Sequence, residues 1–146
     1  MRADGVSLSV LVIDQDPDVL AFFARFLDAN GMRALLARNA AEAFEIAERR
    51  YVPIDLVIAN VLLSPNPAAP EHGAAPDSVD RLRRLRPHLH ALYMSASIDC
   101  GVIRIELLEG GLHHMARTPD DISFLDTIRR AAEGRPLSKP RYRAAT

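Results

Sequence analysis

Two short apolar runs, Leu8-Ser9-Val10-Leu11-Val12-Ile13 and Leu56-Val57-Ile58-Ala59, most narrow the folds open to this chain. Neither alternates apolar with polar residues, so neither reads as a strand with one wet face. Such runs are strands buried on both faces, the kind found at the centre of a parallel sheet. The second run is preceded by Asp55 and ends on Asn60. In open α/β sheets the chemistry sits just past the carboxyl ends of the strands. Asn60 therefore stands where a functional side chain is expected.

The rest of the chain supplies the helices such a sheet needs. After Ile13, Asp14-Gln15-Asp16-Pro17 reads as a turn into a helix, with Asp16 as cap and Pro17 in the first position. Val19, Leu20, Phe23, Phe26 and Leu27 recur at helical spacing, and Asn30-Gly31 stops the helix. Ala34 to Ala37 is a second strand, and Asn39 caps a second helix with Ala43, Phe44 and Ala47 inward. Ser64 to Ser78 carries Pro65, Pro67, Pro70 and Pro76, and reads as an extended loop. Asp77 or Ser78 starts a basic helix, Val79 to Arg86, ended by Pro87. His90 to Met94 is a fourth strand, followed by Ser95-Ala96-Ser97. Asp99 opens a fourth helix through Leu108, which stops at Gly110-Gly111. Leu112 to Ala116 is a fifth strand, followed by Thr118-Pro119. Asp120 or Asp121 caps a last helix with a stripe of Ile122, Leu125, Ile128 and Ala132.

Strands alternating with helices imply a parallel sheet covered on both faces, because each crossover is right-handed. Five βα units predict a doubly wound (βα)5 parallel sheet with strand order 2-1-3-4-5. The expected layout is a flexible N-terminus over 1–7, one domain over 8–134 and a flexible tail over 135–146. A net charge of -1 gives no electrostatic case for nucleic-acid or membrane binding. The single cysteine, Cys100, excludes an internal disulfide and fits a reducing, cytoplasmic setting. No apolar run approaches the roughly 20 residues of a membrane span.

Four features in register, the acidic turn Asp14-Gln15-Asp16-Pro17, Asn60, Ser95-Ala96 and Thr118-Pro119, carry a resemblance. Over residues 8–134 the chain resembles the receiver domain of bacterial two-component response regulators, which has the flavodoxin-like form of this sheet. The resemblance implies a role for each position. An aspartate ending the third strand takes a phosphoryl group from a histidine kinase. Two adjacent acidic residues after the first strand hold Mg²⁺. A Ser or Thr after the fourth strand bonds the phosphoryl oxygen, and a lysine before the fifth-strand proline pairs with the phosphate. An aromatic residue three positions before that lysine swings inward on activation.

This chain departs from most of that pattern. The phosphoacceptor position is Asn60, whose carboxamide lacks the anionic oxygen that attacks phosphorus. Asp14 matches the first acidic position, but Gln15 holds the second; Asp16 serves as the cap. The lysine position is Thr118 and the switch position is Met115. Only Asp14 and Ser95 stand as in the family, which marks a degenerate pocket, or pseudo-receiver. Magnesium prefers near-octahedral oxygens with carboxylates among them, so Mg²⁺ binding is expected to be weak or absent and no other cofactor is implied.

Structural roles compete with functional ones at each position. Asn60 can bond backbone groups at the strand end. Asp14 can be a hydrogen-bonded relic, with Gln15 or Ser95 as partner. Met115 can fill a gap in the core. His113 and His114 face opposite sides of a strand and cannot chelate one metal, and His88 and His90 lack a third ligand. Val102, Ile103, Ile105, Leu107 and Leu108 cover more than one face of the expected fourth helix, beyond the single stripe that packing needs. The excess points to partner contact, or to a homodimer through the fourth helix, fifth strand and last helix; the alternative is that the whole set is buried in the monomer.

The expectation is a stand-alone receiver-like signalling module of a phosphorelay, not an enzyme. It would act through phosphorylation-independent contacts with a protein partner, a histidine kinase or another regulator. Two alternatives stay open. One is a receiver-fold sensor binding a small ligand in the altered crevice beside the loop 64–78. The other is a phosphatase of the haloacid dehalogenase type, whose DxDx[TV] turn Asp14-Gln15-Asp16-Pro17-Asp18-Val19 resembles, with Asp14 as nucleophile and Asp16 as general acid.

Overall fold

The computed structural model describes residues 7–60, 75–99, 102–109, 113–115 and 122–134. The apolar runs form the expected central strands. All residues of β1 (Ser9–Ile13) and β3 (Leu56–Asn60) are buried. β2 (Arg33–Ala37) pairs parallel with β1, β1 with β3, and β3 with β4 (His90–Asp99). The order β2-β1-β3-β4 is the one expected from the alternating βα pattern.

Period two along the strands divides the core. Val10, Val12, Leu56, Ile58, Leu92 and Met94 face α1 (Pro17–Ala29) and α4 (Ile122–Ala132), where Phe23, Leu27, Phe124 and Ile128 are packed. Phe124 meets Phe23 with ring centroids 6.3 Å apart and Phe26 edge-on at 5.3 Å. Leu11, Ile13, Val57, Ala59 and Tyr93 face α2 (Ala40–Glu48) and α3 (Ala75–Leu85) through Ala43, Ala47, Val79 and Leu82.

The helix ends follow the sequence signals. Asp16 Oδ1 accepts from the Asp18 N–H at 2.9 Å, and Pro17 begins α1. The far end closes with Gly31 at φ +75, its N–H donating to Asp28 O at 3.1 Å and the Met32 N–H to Leu27 O at 2.9 Å. Asn39 caps α2 through the Glu42 N–H. Phe44, expected inward, is only half-buried and lies under the Arg81 guanidinium at 5.4 Å. Among the described side chains of α4, Phe124, Thr127, Ile128, Ala131 and Ala132 are buried and Leu125 is half-buried; the Ile122 side chain of the expected stripe lies outside those described.

Three expected assignments are corrected. α3 begins at Ala75, inside the expected loop 64–78. β4 does not end at Met94 but runs on through Asp99, so Ser95 lies within the strand, paired with Glu106. The third correction is the largest. The segment assigned to a fourth helix is a strand, β5 (Val102–Glu109), antiparallel to β4 from Tyr93↔Leu108 to Asp99↔Val102. Ile103-Arg104-Ile105-Glu106-Leu107 alternates apolar and polar residues, the period of a strand with one packed face. Apolar residues spread around a helix and apolar residues alternating along a strand give the same list; only the period separates them. Val102, Ile103, Ile105 and Leu108 therefore do not form a helical partner surface. Ile105 and Leu107 are fully buried in the monomer, against the α1/α4 side of the core. The expected fifth strand is β6 (His113–Met115), antiparallel to β5. Among the described residues no helix is long and apolar enough to cross a membrane. Cys100, Thr118 and most of the proline-rich loop, 64–74, lie outside the described residues.

Candidate functional site

The carboxyl ends of β1 and β3 bring Asp14 and Asn60 together. Parallel pairing aligns Ile13 with Ala59, so the next residue of each strand emerges on the same rim. Asp14 is 3% exposed and Asn60 9%. The Asn60 Nδ2–H donates to Asp14 Oδ2 at 2.9 Å. A carboxylate only accepts, so this contact fixes which end of the amide faces Asp14. The other carboxylate oxygen, Oδ1, accepts from the Asp16 backbone N–H at 2.8 Å. Both Asp14 oxygens are thus held by neutral donors. Hydrogen bonds to a charged group contribute about 1.5–3 kcal/mol each, and a buried carboxylate without them would be costly.

The remaining positions are less tightly assembled. Gln15 is exposed, so the expected Asp14–Gln15 contact gives way to the Asp16 N–H and the Asn60 amide. Asp16 uses Oδ1 as the α1 cap. Ser95 is half-buried, one residue past Met94, the register partner of Asn60. Met115 is farther away: the register runs Asn60↔Met94, Met94↔Leu107, Leu107↔Met115. With strands about 4.8 Å apart, Met115 is roughly 14 Å from Asn60 along the sheet. β5 lies between the strand of the crevice and the strand of the switch position.

Tyr93 sits beside Ala59 in the β3/β4 register, on the α2/α3 side. Burial pushes its phenol above the ordinary value, with Arg83 opposing the shift. At the start of α2, the Arg38 backbone N–H and guanidinium hold the Glu42 carboxyl below the usual range.

Among the described residues, no three His, Cys, Asp or Glu side chains come together to hold a metal. Magnesium needs several oxygens in near-octahedral array. Among the described residues the rim offers one buried carboxylate, already occupied by two N–H donors, and an amide that turns its NH₂ toward it. These residues do not fit the ion. The Asn60–Asp14 bond is the feature that single-residue reading missed. Its signal was present in the pairing of a polar residue at the ends of two adjacent central strands.

No protein-family model matches the chain. No curated protein matches it either. Solved structures do. The signal receiver domain of an HD domain-containing protein from Pseudomonas fluorescens Pf-5 superposes with a TM-score of 0.53 at 18% identity, covering 65% of this chain and 69% of that one. A response regulator receiver domain protein from Methanospirillum hungatei JF-1 gives 0.52 at 17%, with 65% and 69% covered. A response regulator receiver protein from Pseudomonas putida gives 0.52 at 23%, with 65% and 73% covered. At these identities the likeness is one of architecture: the chain has the fold of the receiver domains of response regulators.

Proposed function

We propose that the chain is a signalling module of a two-component pathway that works through protein contacts, without phosphorylation of its crevice. The fold supports the pathway class. The observation that carries the phosphorylation-independent part is the Asn60–Asp14 hydrogen bond. At the rim position where a receiver needs an attacking carboxylate, this chain has an amide that donates to the neighbouring acid. An amide nitrogen engaged in this way is no nucleophile, and Asp14, with both oxygens accepting, is buried behind it.

The partner is a histidine kinase or another regulator, met in the cytoplasm, and Mg²⁺ binds weakly or not at all. The same geometry weighs against the phosphatase reading, since Asp16 is spent on the α1 cap and Asp14 is held by two donors. Purification from its native cell with the full chain as bait would identify the kinase or regulator that binds. Affinity for that partner, measured with and without acetyl phosphate and Mg²⁺, is expected to be the same. A change in affinity that is abolished by Asn60→Ala would overturn the proposal.

A further inference from the structure

At the opposite end of the sheet from Asp14 and Asn60, the amino ends of β3 and β4 open into a cavity of about 490 Å³. Its floor is apolar, with Ile54, Leu85 and Leu89, and its rim carries Arg50, Arg86, His88 and His90. We propose that this cavity binds a small organic anion, a phosphate or carboxylate group attached to an apolar body. Its volume lies within the usual range for small-molecule sites, about 300–1,000 Å³.

The donors differ in how far they are already used. Arg86 is fixed in place: its Nε–H donates to Ala47 O at 3.1 Å and Nη2–H to Arg49 O at 2.9 Å. The turn beneath it is held by Arg83 Nε–H donating to Leu89 O at 3.3 Å. Asp55, the lining carboxylate, accepts from the Ser9 N–H at 2.7 Å through Oδ2. The side chains of Arg50, His88 and His90 are exposed and have no hydrogen-bond or ion-pair partner among the described residues. The imidazole of His90 packs against Gly134, where an added Cβ would come within 2.8 Å of Nε2. Thus the cavity combines a wall held by the Arg83 and Arg86 hydrogen bonds with donor side chains that have no partner among the described residues.

Two effects oppose an anion here: the Asp55 carboxylate in the lining carries a full negative charge, and the helix ends add partial ones. α2, α3 and α4 all end at this side of the sheet, and each helix C-terminus carries about half a negative charge. The sign of the site is set by what offsets them. Arg86 sits directly on the carbonyls that end α2, which neutralises the nearest of these partial charges. Arg50 then adds a full positive charge at the rim, and the two histidines add N–H donors. Arg50 and Arg86 together outnumber the single Asp55 carboxylate of the lining, and full charges in contact outweigh partial charges whose influence fades within a helical turn. The apolar floor adds affinity for the body of the ligand, which inorganic phosphate lacks.

Phenyl phosphate and inorganic phosphate serve as probes in a two-dimensional amide NMR titration of the full 146-residue chain. Saturable shifts by phenyl phosphate are expected at the amides around Arg50, Ile54 and His88 to His90, with inorganic phosphate weaker. Arg50→Ala and His88→Ala, both at exposed positions, are each expected to weaken phenyl phosphate by about tenfold, the equivalent of one charge-assisted hydrogen bond. Absence of shifts at these amides, equal affinity for the two probes, or affinity unchanged in both variants would overturn the proposal. So would shifts centred on Asp14 and Asn60, which would move the ligand to the other end of the sheet.

Discussion

Replacing Asn60 by aspartate exchanges a donated hydrogen bond for a second carboxylate against the first. At the 2.9 Å separation of the present contact, two unit charges repel by about 6 kcal/mol at an effective dielectric near 20. The protein has a cheaper course. One carboxyl keeps its proton and donates to the other, as carboxylate pairs do. For an acid with an ordinary value near 3.9, holding that proton at about pH 7 costs about 4 kcal/mol. Asn60→Asp is therefore expected to lose about 3–4 kcal/mol at neutral pH, a large share of a domain's usual 5–15 kcal/mol. The sign of its pH dependence follows from linkage. The shared proton gives the pair a folded-state pKa above the unfolded one, so the variant matches the parent best at low pH and loses ground as pH rises. Urea unfolding of both proteins at about pH 7 and about pH 4.5 measures this, and the penalty at the lower pH is expected to fall to about 1 kcal/mol or less. Added Mg²⁺ is expected to recover stability in the variant and leave the parent unchanged. A penalty equal at both pH values, or no penalty at neutral pH without divalent cation, would refute the reasoning.

Three further outcomes follow from particular contacts. Phe124→Ala removes the ring that joins α4 to Phe23 and Phe26, and is expected to cost about 3–5 kcal/mol in denaturant unfolding. Tyr93 has its folded-state pKa raised by burial, so it favours the folded state below the ordinary phenol range and that contribution is lost as pH rises through it. Ultraviolet titration is expected to show one of the three tyrosines ionising late, and Tyr93→Phe is expected to remove that component. Gly134→Ala places a methyl group against the His90 ring at a residue with φ +73, and is expected to destabilise by about 1 kcal/mol or more, read as a lowered melting temperature.

The central strands, the caps at Asp16 and Asn39 and the order β2-β1-β3-β4 were legible because each rests on local chemistry. A six-residue apolar run bounded by turns has few other solutions, and a capping side chain acts within three residues of itself. Residues 99–108 were not legible as a helix-length list of apolar residues, since the deciding information was the alternation around Ile105. A helix there would leave the sheet after β4; the strand instead extends it and moves Met115 one strand farther from the crevice. At the site, the identities of Asp14 and Asn60 were plain, but their bond joins residues 46 apart in sequence. It becomes visible only when the register of β1 on β3 sets both residues on one rim.

The central claim is that the rim ending in Asn60 accepts no phosphoryl group. Incubation of the full chain with acetyl phosphate and Mg²⁺, followed by intact mass spectrometry, tests it most directly. The account predicts a mass unchanged from the untreated protein. A stable adduct of one phosphoryl group, mapped to Asn60, Asp14 or another residue of the crevice, would contradict it.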